Sequence, residues 1–192
     1  MMVEVPPLGS TPVDGVVLRT DRLVLRRWCA ADLDAMAELH ADPVVMATLG
    51  PVMDRAASDA AVIRWDAAFE IDRWGLWCVE RAGTCIGFTG LARPWFRDGV
   101  EIGWRIRRDA WGNGYATEAT RAVLALGFEQ IGLTEVLSFT AVINHRSRAV
   151  MERLGMRRVL DGDFEHPSLP EADPLRPHVL YRVGLDEYRA AS

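Results

Sequence analysis

Between Val100 and Ala119 the chain reads as a strand, a tight turn carrying Gly112 and Gly114, and the start of a helix. Glycines two residues apart let the main chain approach a ligand with no Cβ in the way. At a helix start the first N–H groups have no partner within the helix and lie at the positive end of its dipole. The spacing therefore turns the amides of Gly112, Asn113, Gly114, Tyr115 and Ala116 towards an anion, and a pyrophosphate suits such a place. A strand, a GxG turn and a helix also make an ordinary tight turn, so this feature alone does not assign a ligand. Two phosphate sites are excluded. A GxGxxG fingerprint fails at Thr117, and the next strand lacks a ribose-binding acid. The Gly-Lys-Ser/Thr of a nucleotide-triphosphatase loop is missing too, so phosphate must be held here without magnesium.

The other reactive side chains are less eloquent. Cys29, Cys78 and Cys85 form no CxxC pair and no metal-ligand spacing with the four histidines, so no metal is expected. Cys78 and Cys85 fall in apolar stretches and read as small buried hydrophobes. All basic residues are arginines. Residues 105–158 hold nine of them against five acids, within a chain of net charge −5. A basic tract in an acidic chain fits a local phosphate-bearing ligand, although a solvated mix of helix faces accounts for the charge equally well.

The elements that must position these residues follow from hydrophobic period. Val16 to Trp28 alternates as a strand, with a kink or turn at residues 19–22. Helical spacing covers Asp32 to His40, a broken stretch from Pro43 to Leu49, and about Arg55 to Arg73. Three strands, Leu76 to Arg81, Cys85 to Pro94 and Val100 to Ile106, are separated by glycine-bearing turns and read as an antiparallel meander. Thr117 to Ile131 is helical. Glu135 to Ile143, apolar on both faces, suits a central strand. A helix over 144–154 stops at Gly155. Met156 to Phe164 and Val179 to Leu185 read as the last strands, around a proline-studded loop at 166–178 that is long for a purely structural connection.

The chain has 192 residues with 49% hydrophobic and 26% charged. That composition suits one α/β domain over 16–192, preceded by a flexible proline- and glycine-rich arm over 1–15. No apolar run reaches the roughly 20 residues of a membrane helix, and nothing in the first dozen residues resembles an export signal, so the expected location is the cytoplasm.

The stretch EIGWRIRRDAWGNGYATEA, Glu101 to Ala119, resembles motif A of the GNAT N-acetyltransferase superfamily, in the branch containing the ribosomal-protein N-terminal acetyltransferases. The [Q/R]-x-x-G-x-[G/A] pattern falls on Trp111, Gly114 and Ala116, with tryptophan in the first position. A second match, at Asn144, Ser147, Val150, Leu154, Gly155 and Met156, resembles the N-x-x-S-x-x-v-x-x-x-L-G-[F/M] helix of that branch. The paired motifs are more specific than either alone. The resemblance spans residues 17–186 but explains neither the arm nor the 166–178 loop. It implies a mixed, mostly antiparallel sheet with a V-shaped split and flanking helices, and acetyl-CoA as acyl donor with no metal.

The resemblance also implies site residues. The backbone of Arg105, Ile106 and Arg107 would pair with the pantetheine arm. The turn from Trp111 through Gly112, Asn113, Gly114, Tyr115, Ala116 and Thr117 would hold the diphosphate. Asn144 would hold a pantetheine amide, although it is equally a good helix N-cap. Arg107, Arg108, Arg148 and Arg153 are candidates for phosphate. An attacking alkylamine has a pKa of about 10 and must lose a proton; Glu101 is the implied base, with Glu165 and His166 as alternatives. A strand amide near Ile106 would stabilise the oxyanion. Many relatives place a tyrosine on the 144–154 helix as leaving-group donor, but Met151 stands there, which leaves Ser147 as the proposed donor.

The acceptor implied is an amine, either a protein N-terminus or a small molecule, and homodimers are common in the branch. Trp28, Trp65, Trp74, Trp77 and Trp95 line either an acceptor pocket or the core. A non-catalytic acyl-CoA-binding module would keep the glycines and Asn144 and need no base. Nucleic acid is disfavoured, because the arginines fall on several elements with no aromatic–basic platform.

Overall fold

The computed structural model describes residues 17–191; the expected arm at 1–15 lies outside them. Two short strands, β1 (Leu18–Arg19) and β2 (Val24–Arg26), lead to α1 (Leu33–Ala41), α2 (Pro43–Met46) and α3 (Arg55–Asp72). The strands β3 (Leu76–Arg81), β4 (Thr84–Ala92) and β5 (Glu101–Ile106) follow, then α4 (Tyr115–Ala125) with a π-helical turn at Leu126–Ile131. The chain continues through β6 (Glu135–Ala141), α5 (His145–Arg153), β7 (Arg157–Arg158), β8 (Phe164–Glu165), β9 (Pro177–Gly184) and α6 (Leu185–Ala191).

The meander reads true: β3, β4 and β5 pair antiparallel in sequence. β6 is central, between β5 and β9 in the sheet order β1-β2-β3-β4-β5-β6-β9-β7. Gly155 sits at φ 77 beyond α5, as the expected stop requires.

Three expectations need correction. The first strand is not continuous: the expected turn is there, and the polar Thr20–Arg22 segment folds the chain back into a small hairpin with Leu18 opposite Leu25. The strand expected over Met156–Phe164 is two isolated pairs of residues on β9, broken by a turn at Leu160 and Asp161. The strand expected to run to Leu185 ends at Gly184 and passes into α6, where the Gly184 N–H donates to the Glu187 carboxylate at 2.9 Å.

Helices cover both faces of the sheet. On one face α1 and α3 bury Met36, Leu39 and Val62 against Trp28, Cys78 and Phe88. On the other, α4 buries Ala119, Val123 and Leu124 against Val79, Leu91, Ile102 and Ile106. Each fully buried aliphatic or aromatic side chain contributes about 1.5–3 kcal/mol, and the two clusters clamp β4 and β5 between them. Glu118 of α4 accepts from Thr20 Oγ1 (2.5 Å), Arg22 N (3.0 Å) and Arg22 Nε (2.6 Å), tying the hairpin to the start of that helix. Among the described residues no helix is long and apolar enough to cross a membrane.

The sheet is continuous except at its centre. β5 and β6 run parallel with one registered pair, Glu101 and Leu137. The Leu137 N–H donates to the Val100 carbonyl at 2.8 Å, and Ser138 Oγ donates to the Ile102 carbonyl at 2.9 Å. Past Ile102 the two strands diverge, while β6 stays paired with β9 along its whole length. This is the expected V-shaped split.

Candidate active site

The open side of the split is bounded by β5, the turn after it, the start of α4 and one face of α5. The cleft has a volume of about 1000 Å³. Gly112 and Gly114 hold φ of 77 and 79, a region that side-chain-bearing residues rarely enter. A Cβ at Gly112 would meet nothing of the protein within 4 Å, so the turn presents bare backbone to open space. Gly114 is the N-cap of α4 and supplies no side-chain hydrogen bond, and the first bond back to it comes from Glu118 N at 3.0 Å. The N–H groups of Tyr115, Ala116 and Thr117 therefore begin a helix without a cap, beside the cleft. That is an anion cradle.

Trp111 does a different job from its neighbours. Its indole N–H donates to the Ile106 carbonyl at 2.8 Å, fastening the turn to the end of β5, and the Arg146 guanidinium stacks 4.1 Å from its ring centre. The Tyr115 side chain is core, 6% exposed, and only its backbone belongs to the cradle. Asn113 donates to the carbonyls of Ala110 (3.2 Å) and Trp111 (3.0 Å), so it shapes the turn from outside the cleft.

Of the expected cofactor residues, Arg105, Ile106, Trp111, Gly112, Gly114, Tyr115, Ala116, Thr117, Asn144, Ser147 and Arg153 line this one cleft. Arg107 does not. It pairs with Glu38 (3.3 Å) and Asp109 (3.2 Å). Arg108 pairs with Asp42 at 3.6 Å, and Arg148 donates to the Val142 carbonyl at 3.1 Å. Arg146, which the sequence reading passed over, lines the cleft with Arg153. Helical period would have found it, because residues 146, 150 and 153 share one face of α5.

Asn144 caps α5: its Oδ1 accepts from Ser147 N at 3.2 Å. Its Nδ2 donates to Thr140 Oγ1 at 2.9 Å and to Ser147 Oγ at 3.1 Å. Both amide donors are thus committed, and what remains for a ligand is the second lone pair of Oδ1. Because Ser147 Oγ already accepts, its own hydrogen is available to donate.

Ser147 also lines a waist of about 190 Å³, together with Glu101, Gly103, Arg105, Ser138 and Met151. Beyond the waist a second pocket of about 440 Å³ contains Glu101, Arg105, Trp95, Phe96, Phe139, His166 and His178. Cleft, waist and pocket form a passage through the split, with Arg105 and Leu49 lining all three. Alternation along β5 explains the arrangement: 101, 103 and 105 face the passage, while Ile102 and Ile106 enter the core.

The electrostatics of the passage follow from burial. The Glu101 carboxyl is pushed up to about 8 by burial, with no cation beside it to oppose the shift. His166 and His178 are both lowered, chiefly by burial, so each is neutral at pH 7. Glu165 lies in an exposed ion pair with Arg176 at 3.2 Å and is outside the pocket. Of the five tryptophans considered, Trp28, Trp74 and Trp77 are core, Trp65 packs between Trp28 and Phe88, and Trp95, 76% exposed, edges the second pocket.

Known proteins agree with this geometry. The Acetyltransferase (GNAT) domain family matches residues 22–157. The FsC-acetyl coenzyme A-N(2)-transacetylase of Aspergillus fumigatus is 31% identical over 182 residues, covering 89% of this chain and 77% of its own. Among solved structures, an acetyltransferase of Agrobacterium tumefaciens superposes with a TM-score of 0.73 at 28% identity, over 89% of this chain and 95% of its own. The ribosomal alpha-N-protein acetyltransferase RimL, in complex with coenzyme A, shares the fold at a TM-score of 0.74 and 14% identity, over 90% of this chain and 99% of its own. A split central sheet, a bare-backbone cradle at a helix start and these likenesses lead to one conclusion: the chain belongs to the GNAT acetyltransferase family and is an acyl-CoA-dependent N-acetyltransferase.

Proposed function

We propose that residues 16–192 work as one domain that moves the acetyl group of acetyl-CoA to a primary amine by direct attack, with Glu101 as base and Ser147 as donor to the leaving sulfur. The observation that carries this reading is that Glu101 and Ser147 line the same narrow waist, between a cleft ending in an anion cradle and a pocket with aromatic walls.

The residues present fit acetyl-CoA. The uncapped amides of Tyr115, Ala116 and Thr117 suit its diphosphate, with Arg146 and Arg153 as nearby cations. Arg107 N donates to the Ile86 carbonyl at 2.8 Å, which fixes the ladder on the β4 side of β5. By alternation the N–H groups of Trp104 and Ile106 turn the other way, into the split, where a pantetheine amide can pair with them as an added strand would. The spare lone pair of Asn144 Oδ1 suits a pantetheine N–H.

Acetyl-CoA supplies the reactive thioester. The amine nitrogen attacks the carbonyl carbon, a C–N bond forms and the C–S bond breaks. Glu101 takes the ammonium proton, directly or through a water, before attack, and the second proton, shed by the nitrogen as the amide forms, passes through water to the departing thiolate. A strand amide near Ile106 holds the negative charge that develops on the carbonyl oxygen. The Ser147 hydroxyl donates a hydrogen bond to the departing sulfur.

Thiol release from acetyl-CoA, measured with peptides beginning in Ser or Ala and with small amines, tests the transfer and sorts its acceptors. Calorimetry of coenzyme A against the purified protein tests the cradle separately. Thiol release with none of the amines, or no heat with coenzyme A, would overturn the corresponding half of the reading.

A further inference from the structure

We propose that the acceptor amine also carries a carboxylate, recognised by the side chain of Arg105. This rests on the acetyl-transfer reading above and names the class of acceptor for the same site.

Among the described arginines that line the passage, Arg105 is the one with a guanidinium nitrogen closed to solvent and unbonded. Arg93 pairs with Asp72 at 3.2 Å, Arg107 with Glu38 and Asp109, and Arg108 with Asp42. Arg105 has no carboxylate partner among the described residues, and its Nε is closed to solvent with nothing to bond to. Its guanidinium lies 5.5 Å from the centre of the Phe88 ring, which offers a π face but no counter-charge. Burial draws its pKa down to about 10, with no acid close enough to oppose the shift. His40 is pushed down to about 4, first by burial and then by the Arg105 charge, so it is neutral and supplies no anion. A charge enclosed without partners is unfavourable, and an occupant that brings the missing anion recovers the difference.

The cofactor is the less suitable source of that anion. The cradle at Gly112 to Thr117 has its own cations, Arg146, stacked on Trp111, and Arg153, neither with a carboxylate partner among the described residues. Arg105 instead shares the waist and the second pocket with Glu101, where the remaining walls are aliphatic, aromatic, hydroxyl-bearing or histidine side chains and Arg93 is already paired. Glu101 and Arg105 are four residues apart on one strand, roughly 13 Å between Cα atoms. Both side chains line the waist and the second pocket, so a small molecule there, such as an amino acid, can set its nitrogen near Glu101 and its carboxylate near Arg105. A polyamine would bring a second cation to Arg105 and be repelled.

The test compares matched acceptors: free amino acids, their methyl esters and their decarboxylated amines, read by thiol release from acetyl-CoA. The expected result is a preference in kcat/KM of about 10- to 100-fold for the free carboxylate over the ester, the range of a charge-assisted hydrogen bond. In Arg105→Met that ratio falls to near one, and Arg105→Lys keeps part of it. Circular dichroism and a cooperative melt show that each variant is folded. Equal or better use of the ester or amine, or a preference that survives Arg105→Met, overturns the proposal while leaving acetyl transfer standing. If no amine releases thiol, acetyl transfer fails on its own, and amino acids titrated into coenzyme A-loaded protein decide the matter. Binding lost in Arg105→Met supports the carboxylate site, and no binding by any amino acid overturns it.

Discussion

Ser138 Oγ donates to the Ile102 carbonyl at 2.9 Å, and this is the last hydrogen bond joining β5 to β6 before the strands part. The bond is buried, so it sets the apex of the split in a place where water cannot substitute for it.

Ser138→Ala leaves the Ile102 carbonyl buried without its partner. The expected cost is about 1–3 kcal/mol of stability, read by denaturant unfolding. The KM for acetyl-CoA should rise with it, because Trp104 and Ile106 lie just past the apex. Unchanged stability together with an unchanged KM would show that other contacts hold the strands.

The raised Glu101 carboxyl gives two pH dependences with known sign. Its folded value of about 8 lies above an unfolded value of roughly 4.3, so the folded state holds the proton more tightly. The stability from this group is complete below pH 4.3 and is lost as pH rises through about 8. Glu101→Gln should remove that loss, so the variant gains on the native protein in melting temperature at pH 9 relative to pH 5. In kinetics, kcat/KM should climb along an acidic limb centred near 8, and Glu101→Gln should flatten the limb while lowering kcat by about 100-fold or more. A limb that persists in the variant assigns the base elsewhere.

Much of this was readable from the chain because the relevant signals are local. The Gly112 and Gly114 spacing reports backbone geometry directly, and the alternation of β5 places Glu101 in the split. What escaped depends on the partners a side chain finds. Arg105 was expected for its backbone alone, although the same alternation puts its side chain on the Glu101 face. Arg107 was expected in the cofactor site, but Glu38 arrives from α1, over sixty residues away, and pairs with it. His178 reaches the second pocket because β9 pairs with β6, a long-range contact without a local signature. The start of α6 did carry signals that the reading missed, Gly184 at the junction and acids at 186 and 187.

Gly114→Ala should separate backbone geometry from bulk. Its φ of 79 costs a side-chain-bearing residue about 1–2 kcal/mol, and the nearest atom to an added Cβ is the end of the flexible Arg22 side chain at 3.6 Å. Any loss of coenzyme A affinity beyond that strain comes from the methyl group entering the cradle. Calorimetry should show affinity falling by about tenfold or more while urea unfolding shifts by no more than the strain. Undiminished affinity would place the diphosphate elsewhere.

Ser147 and Asn144 make opposite predictions although they share a hydrogen bond. Asn144 caps α5, so Asn144→Ala should cost about 1 kcal/mol or more of stability and also free Ser147 Oγ from its donor. Ser147→Ala removes a hydroxyl while its backbone N–H still caps to Asn144 Oδ1, so the helix should stay intact and the melting temperature nearly unchanged. If the hydroxyl assists the departing sulfur, kcat should fall by about 10- to 100-fold with little change in the KM for acetyl-CoA, because that bond strengthens only as charge builds on sulfur. A rise in KM at constant kcat would instead mark Ser147 as a binding contact and leave the leaving-group proton to water.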